Sequence, residues 1–109
     1  MITLSRFIMP SKPTLSPTEL QTFLTAHPEW SLLEGKLVRE WTFPTFPDAI
    51  AFVNNVAPLA EQANHHPDID IRYNKVLLAL ISHDAGGITA RDAKMAAQLT
   101  VALPTSTNS

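Results

Sequence analysis

The stretch from Asp68 to His83 restricts the possible fold more than any other part of the chain. Asp68 to Tyr73 alternates: Ile69, Ile71 and Tyr73 share one side, and Asp68, Asp70 and Arg72 share the other. That period of two predicts a half-buried strand. Asn74-Lys75 reads as a turn. Val76 to His83 is then apolar at almost every position. Such a strand needs cover on both faces, so it belongs at the centre of a sheet or at a contact between subunits.

The segments before and after this hairpin carry helix signals. Ser16-Pro17-Thr18-Glu19 is a capping box with proline at the first helical position, and Leu15 and Leu20 stand where a hydrophobic staple closes. Leu20, Phe23 and Leu24 continue one face. His27-Pro28 stops the helix, because the residue before proline avoids the helical region. Trp30 to Leu33, a Glu34-Gly35 turn, and Lys36 to Phe43 read as a first hairpin, with Leu37, Trp41 and Phe43 on one side and Arg39 interrupting it. Thr45 caps a second helix that runs to about Asn64 along Ile50, Val53, Ala57 and Ala60, widened by Phe52 and Val56. Pro58 falls inside it and is expected to bend the helix or cost about 3 kcal/mol relative to alanine. Asp84 to Gly87 is a loop. Thr89-Ala90-Arg91-Asp92 starts a last helix in capping-box fashion and the pattern ends near Pro104. The order α-β-β-α-β-β-α predicts an α+β fold, a four-stranded antiparallel sheet with three helices on one face. Residues 1–14 are expected to be a flexible segment, 15–103 the single domain, and 104–109 a polar tail.

Composition removes several function classes. The 109 residues contain no cysteine, which excludes disulfides, thiolate catalysis and Cys-ligated zinc. The eight Lys and Arg are scattered and the net charge is −2, so no basic face for nucleic acid is expected. No run approaches the roughly 20 apolar residues of a membrane span. A chain of this size is marginally stable alone, which favours a homo-oligomer. The first 13 residues lack the apolar core of a secretory signal, and a cytoplasmic location is expected. Arg6 and Lys12, with no acid before Glu19, leave a weak organellar presequence open, and Met9 is an alternative start.

Three of the four histidines, His65, His66 and His83, lie close in sequence, with Glu61, Asp84 and Asp92 beside them. Histidine gives and takes protons near neutral pH, and a neighbouring carboxylate fixes its tautomer or charge, so the set suits acid–base catalysis. Each member also has a plainer reading. Asp92 is expected as a capping residue, Glu61 as a solvated i,i+4 partner of His65, and His65 and His66 as a cationic helix end. A metal site is disfavoured because adjacent histidines diverge and no H-E-x-x-H spacing is present.

Taken in order, Glu61-Gln62-Ala63-Asn64-His65-His66-Pro67, Tyr73-Asn74-Lys75, His83 and Arg91-Asp92 resemble the signature of the pterin-4a-carbinolamine dehydratases. The resemblance runs from about Ser16 to Leu103, specific in the second half and looser in the first. It implies a hydro-lyase that converts a 4a-hydroxy-tetrahydropterin to quinonoid dihydropterin and water, in recycling of tetrahydrobiopterin-type cofactors. It implies no metal or organic cofactor, a pterin as the small-molecule partner, and a homodimer or homotetramer with sheets joined edge to edge. It also implies the division of labour: His65 and His83 as the acid–base pair, His66 orienting the pterin, and Glu61 and Asp92 tuning the histidines. Asn64, Ser82 and Asp84 would line the substrate pocket with the three histidines. Asn64 departs from the aspartate common there. Some animal relatives also bind a transcription factor, and no surface in this sequence marks such a partner.

Overall fold

The computed structural model describes residues 13–103. The expectations for residues 1–12 and for the tail from 104 lie outside the described residues. In chain order the elements are α1 (Pro17–Ala26), β1 (Ser31–Leu33), β2 (Lys36–Thr42), α2 (Phe46–Ala63), β3 (Asp68–Arg72), β4 (Lys75–Leu80), a 3₁₀ turn (His83–Ala85) and α3 (Ala90–Ala102). The four strands form one antiparallel sheet in the order β1-β2-β4-β3, with the three helices against one face. The fold class and element order are those read from the sequence. Among the described residues no helix is long and apolar enough to cross a membrane.

Local chemistry explains the element ends. Ser16 Oγ accepts the Glu19 N–H at 3.1 Å and Glu19 Oε1 accepts the Ser16 N–H at 2.8 Å, so the first capping box is complete. Thr45 Oγ1 accepts the Asp48 N–H at 3.2 Å at the start of α2. Glu34 and Gly35 both have positive φ, 52° and 78°, the backbone of a tight hairpin turn whose twist matches the strands it joins. Thr14, just before α1, pairs in an isolated bridge with Thr89.

The core lies between sheet and helices. Leu37 and Trp41 of β2, Val76, Leu78 and Leu80 of β4, Val56 of α2 and Leu99 of α3 are essentially inaccessible. β4 pairs with β2 on one side and β3 on the other, which is the first of the two places its composition allowed. Arg39 does not break the inward side of β2. Its guanidinium lies 4.4 Å from the Trp41 ring centroid and donates from Nη1 to Thr100 Oγ1 at 3.3 Å. Burial lowers its pKa from the usual arginine value, and the negative charge of Glu29 opposes that shift.

Four details differ from the sequence reading. The buried stripe of α2 is Ala49, Phe52, Val56 and Ala60; Ala57 faces solvent, and Ile50 and Val53 are only half-buried. The 3.6-residue period was right and its phase was off by one position. Strand β4 stops at Leu80, because Ser82 turns to pair with Gly87 and His83 begins the 3₁₀ turn. Tyr73 leaves β3 for the turn, with φ 54° and 70% exposure, so that turn is Tyr73-Asn74. β3 is an edge strand and more open than expected: Ile69 is 42% exposed and only Ile71 packs on the core. Helix α2 runs unbroken through Pro58, whose ring faces solvent; nothing in the structure explains that residue.

Candidate active site

Helix α2 ends in a way that separates two adjacent histidines. Asn64 adopts the left-handed conformation (φ 51°, ψ 42°), which asparagine tolerates better than most residues. The His65 N–H then reaches back to the Ala60 carbonyl at 3.1 Å, closing a Schellman-type turn. After this reversal the next two side chains diverge. His65 is 8% exposed, whereas the His66 side chain is 58% exposed. Asparagine at position 64 is therefore well suited to the bend that places both histidines.

His65 is held by the first turn of α3. Its Nε2 lies 2.5 Å from Asp92 Oδ1. Asp92 is wholly buried, and its other oxygen, Oδ2, accepts the Ser82 hydroxyl at 2.7 Å and the Thr89 N–H at 2.9 Å. A buried carboxylate without donors would be strongly destabilising; this one has three. The hydrogen bonds run in one direction. The Arg91 N–H donates to Thr89 Oγ1 at 3.2 Å, the Thr89 hydroxyl lies 2.9 Å from Ser82 Oγ, and Ser82 donates onward to Asp92. With Asp92 as acceptor, the proton of the neutral ring sits on Nε2 of His65, and Nδ1 is the nitrogen left with a lone pair. Asp92 thus makes two kinds of contact: one oxygen caps α3 and the other holds His65.

Glu61 does not pair with His65. Its Oε2 lies 2.6 Å from His66 Nε2, and both side chains are exposed. The i,i+4 expectation fails because the helix ends at Ala63, before His65 can complete the turn.

A cleft of about 310 Å³ opens where these elements meet. It is lined by Asn64, His65 and His66 from the end of α2, by Ile81 to Asp84 beyond β4, and by Arg91 of α3. The structure thus brings together all three histidines with Asn64, Ser82 and Asp84. Asp92 lies behind this wall and Glu61 beside it. His83 is exposed at the start of the 3₁₀ turn, and no hydrogen bond to its ring is found among the described residues. Ser82 lines the cleft, but its hydroxyl is engaged by Asp92 and Thr89. Among the described residues no three histidine or acidic side chains converge as metal ligands would.

Arg91 is the member that sequence reasoning missed as a site residue. Its Nη2 donates to Asp84 Oδ1 at 2.6 Å, tying the loop after β4 to α3. Its place one residue before Asp92, in the first turn of the same helix, was the available signal.

Comparison with known proteins agrees over nearly the whole described chain. The family model described as Pterin 4 alpha carbinolamine dehydratase matches residues 13–102. A relative from Chloroflexus aurantiacus is 54% identical over 80% of this chain and 94% of its own length. One from Acidobacterium capsulatum is 51% identical over 78% of this chain and 92% of its own. Both carry the family's name. The crystal structure of a transcriptional coactivator/pterin dehydratase from Brucella melitensis superposes with a TM-score of 0.74 at 31% identity, covering 80% of this chain and 95% of that one.

Proposed function

The chain belongs to the pterin 4 alpha carbinolamine dehydratase family, a family of hydro-lyases, and on that premise we propose that it removes water from a 4a-hydroxy-tetrahydropterin by histidine acid–base catalysis, in recycling of tetrahydrobiopterin-type cofactors. The observation that carries this reading is the His65–Asp92 pair at the wall of a cleft that His83 also lines.

Hydroxide is a poor leaving group, so the C4a oxygen must be protonated as its bond to carbon breaks. The lone pair of the adjacent ring nitrogen forms the new double bond, water leaves, and a ring N–H gives up its proton. One group must donate and another accept, and the net proton count is unchanged. His65 fits the role of an oriented base or acid, because Asp92 fixes its Nε2 and leaves Nδ1 for exchange. His83 supplies the second imidazole. His66, oriented by Glu61 at the exposed rim, binds and aligns the pterin ring together with Asn64 and Asp84. Acid–base help of this kind is worth about 10²–10⁴-fold in rate.

The test is loss of a freshly generated 4a-hydroxy-tetrahydropterin with and without protein. A rate no greater than the spontaneous one rejects the reading. His65→Ala and His83→Ala are each expected to lower kcat, and the double variant to approach the uncatalysed rate. A homodimer or homotetramer belongs to the same proposal. Both edge strands leave apolar side chains open, Leu32 and Leu33 on β1 and Ile69 on β3, at 42–53% exposure, and such edges favour pairing with another copy. Sedimentation equilibrium that returns a monomer at micromolar concentration rejects it. The coactivator role in the Brucella description is said of that protein; the hydrogen-bonded histidine site of this chain favours catalysis.

A further inference from the structure

A second cavity, of about 340 Å³, lies in the groove between the end of α2 and the start of α3. Arg91 lines both this groove and the histidine cleft, so the two are contiguous across one side chain. The groove has apolar walls from Leu59 and Met95, and its polar groups are Gln62, Gln98, Arg91 and Lys94. Among the described residues no carboxylate lines it, in a chain whose net charge is −2. Asp84, the acid nearest in the hydrogen-bond network, lines the histidine cleft instead. Arg91 uses Nη2 on Asp84, while its buried Nε has no hydrogen-bond partner among the described residues. Lys94 is exposed and makes no ion pair among the described residues.

These properties describe a receptor for an extended group with an apolar stem and an anionic end. The histidine cleft lies at the small end of the roughly 300–1,000 Å³ range of ligand sites, enough for a bicyclic ring and little else. A ring held there must send its substituent elsewhere, and the adjoining groove presents the side-chain donors of Gln62, Arg91, Lys94 and Gln98. We propose that the α2–α3 groove is a subsite for the substituent of the pterin substrate, and that Lys94, with Arg91, selects substrates whose substituent ends in a carboxylate or a phosphate. The inference rests on the dehydratase reading of the histidine cleft.

Stable reduced pterins test it by calorimetric titration of the full chain. The neutral probe is 7,8-dihydrobiopterin, the carboxylate probe 7,8-dihydrofolate, and the phosphate probe 7,8-dihydroneopterin monophosphate. A charge-assisted contact at a partly exposed site gives an expected advantage of roughly tenfold for an anionic probe over the neutral one at low salt. The advantage shrinks at high ionic strength. Lys94→Gln, a solvent-facing change outside the histidine site, abolishes most of it and changes the neutral probe's Kd far less. Preference for dihydrofolate alone or for the phosphate alone decides which anion the groove takes. Equal Kd values for all three probes, or an advantage that survives Lys94→Gln, overturn the subsite while leaving the dehydratase reading intact. Failure of every probe to bind, together with no turnover of the 4a-hydroxy compound, overturns both.

Discussion

His65 and His83 line the same cleft and are held in opposite ways. His65 follows a helix cap, is buried, and contacts a carboxylate that is itself fixed by Ser82 and Thr89. His83 stands exposed at the head of a short 3₁₀ turn, with no hydrogen bond to its ring among the described residues. A ring locked in one tautomer is preorganised for one direction of proton transfer. A ring in contact with solvent can exchange its proton with water and adjust to the substrate. In the proposed mechanism, proton transfer would therefore pair one fixed group with one adaptable group, rather than two equivalent histidines.

The largest expected effect is at the carboxylate that creates the asymmetry. Asp92→Asn keeps the size of the side chain but places an amide donor among His65, Ser82 and the Thr89 N–H. Breaking a buried, charge-assisted network of this kind costs about 3 kcal/mol or more. Urea denaturation should show that loss, and kcat should fall at least about 100-fold because His65 loses its orienting partner. If Asp92→Asn retains both stability and turnover, His65 is not held as described and the contrast with His83 disappears.

The two histidines should then separate on stability but not on rate. On the acid–base roles proposed for them, His65→Ala and His83→Ala should each lower kcat by about 10²–10⁴-fold. His65→Ala also leaves a buried carboxylate short of one donor, a loss of about 2–3 kcal/mol. His83→Ala removes an exposed side chain and should lie within about 0.5 kcal/mol of the parent. Equal destabilisation by both substitutions would mean that His83 is packed in an assembled form of the protein.

The parts of this arrangement that were legible in the sequence were those governed by local rules. Ser16-Pro17-Thr18-Glu19, Thr45 and Thr89 marked helix starts because capping is decided within four residues. Glu34-Gly35 marked a hairpin because glycine readily takes the positive φ that a tight turn needs. The all-apolar run from Val76 pointed to a central strand or a subunit contact because both its faces had to be covered. What sequence could not supply was set by contacts between distant segments. The phase of α2 depends on where the sheet lies, and Phe52 and Val56, taken as the margin of its stripe, are in fact its centre. The partner of Glu61 depended on where α2 unwinds, a difference of one residue that exchanged His65 for His66. That Asp92 caps α3 and also holds His65 depends on a contact between residues 27 apart in sequence, which no local pattern reports. Arg91 joins Asp84 through side chains seven residues apart, across a loop and a helix start, where no short-range pattern reports the approach.

The smallest expected effect concerns the exposed counterpart of the buried pair. Glu61 and His66 lie as close as a short hydrogen bond allows, 2.6 Å, yet both are open to water. Pairs in that setting contribute about 0.2–1 kcal/mol, against several for a buried network. Glu61→Gln should therefore leave the urea midpoint unchanged. Its effect should fall on substrate alignment, raising KM by up to about fivefold with kcat nearly constant, because an orienting contact of this kind serves ground state and transition state alike. Salt sharpens the test, since an exposed pair is screened and a buried one much less so. Raising the ionic strength should bring the parent's KM toward that of Glu61→Gln while leaving the defect of Asp92→Asn in place. A fall in kcat for Glu61→Gln that matches His65→Ala would instead make His66 a proton carrier, and the fixed member of the pair would no longer be His65 alone.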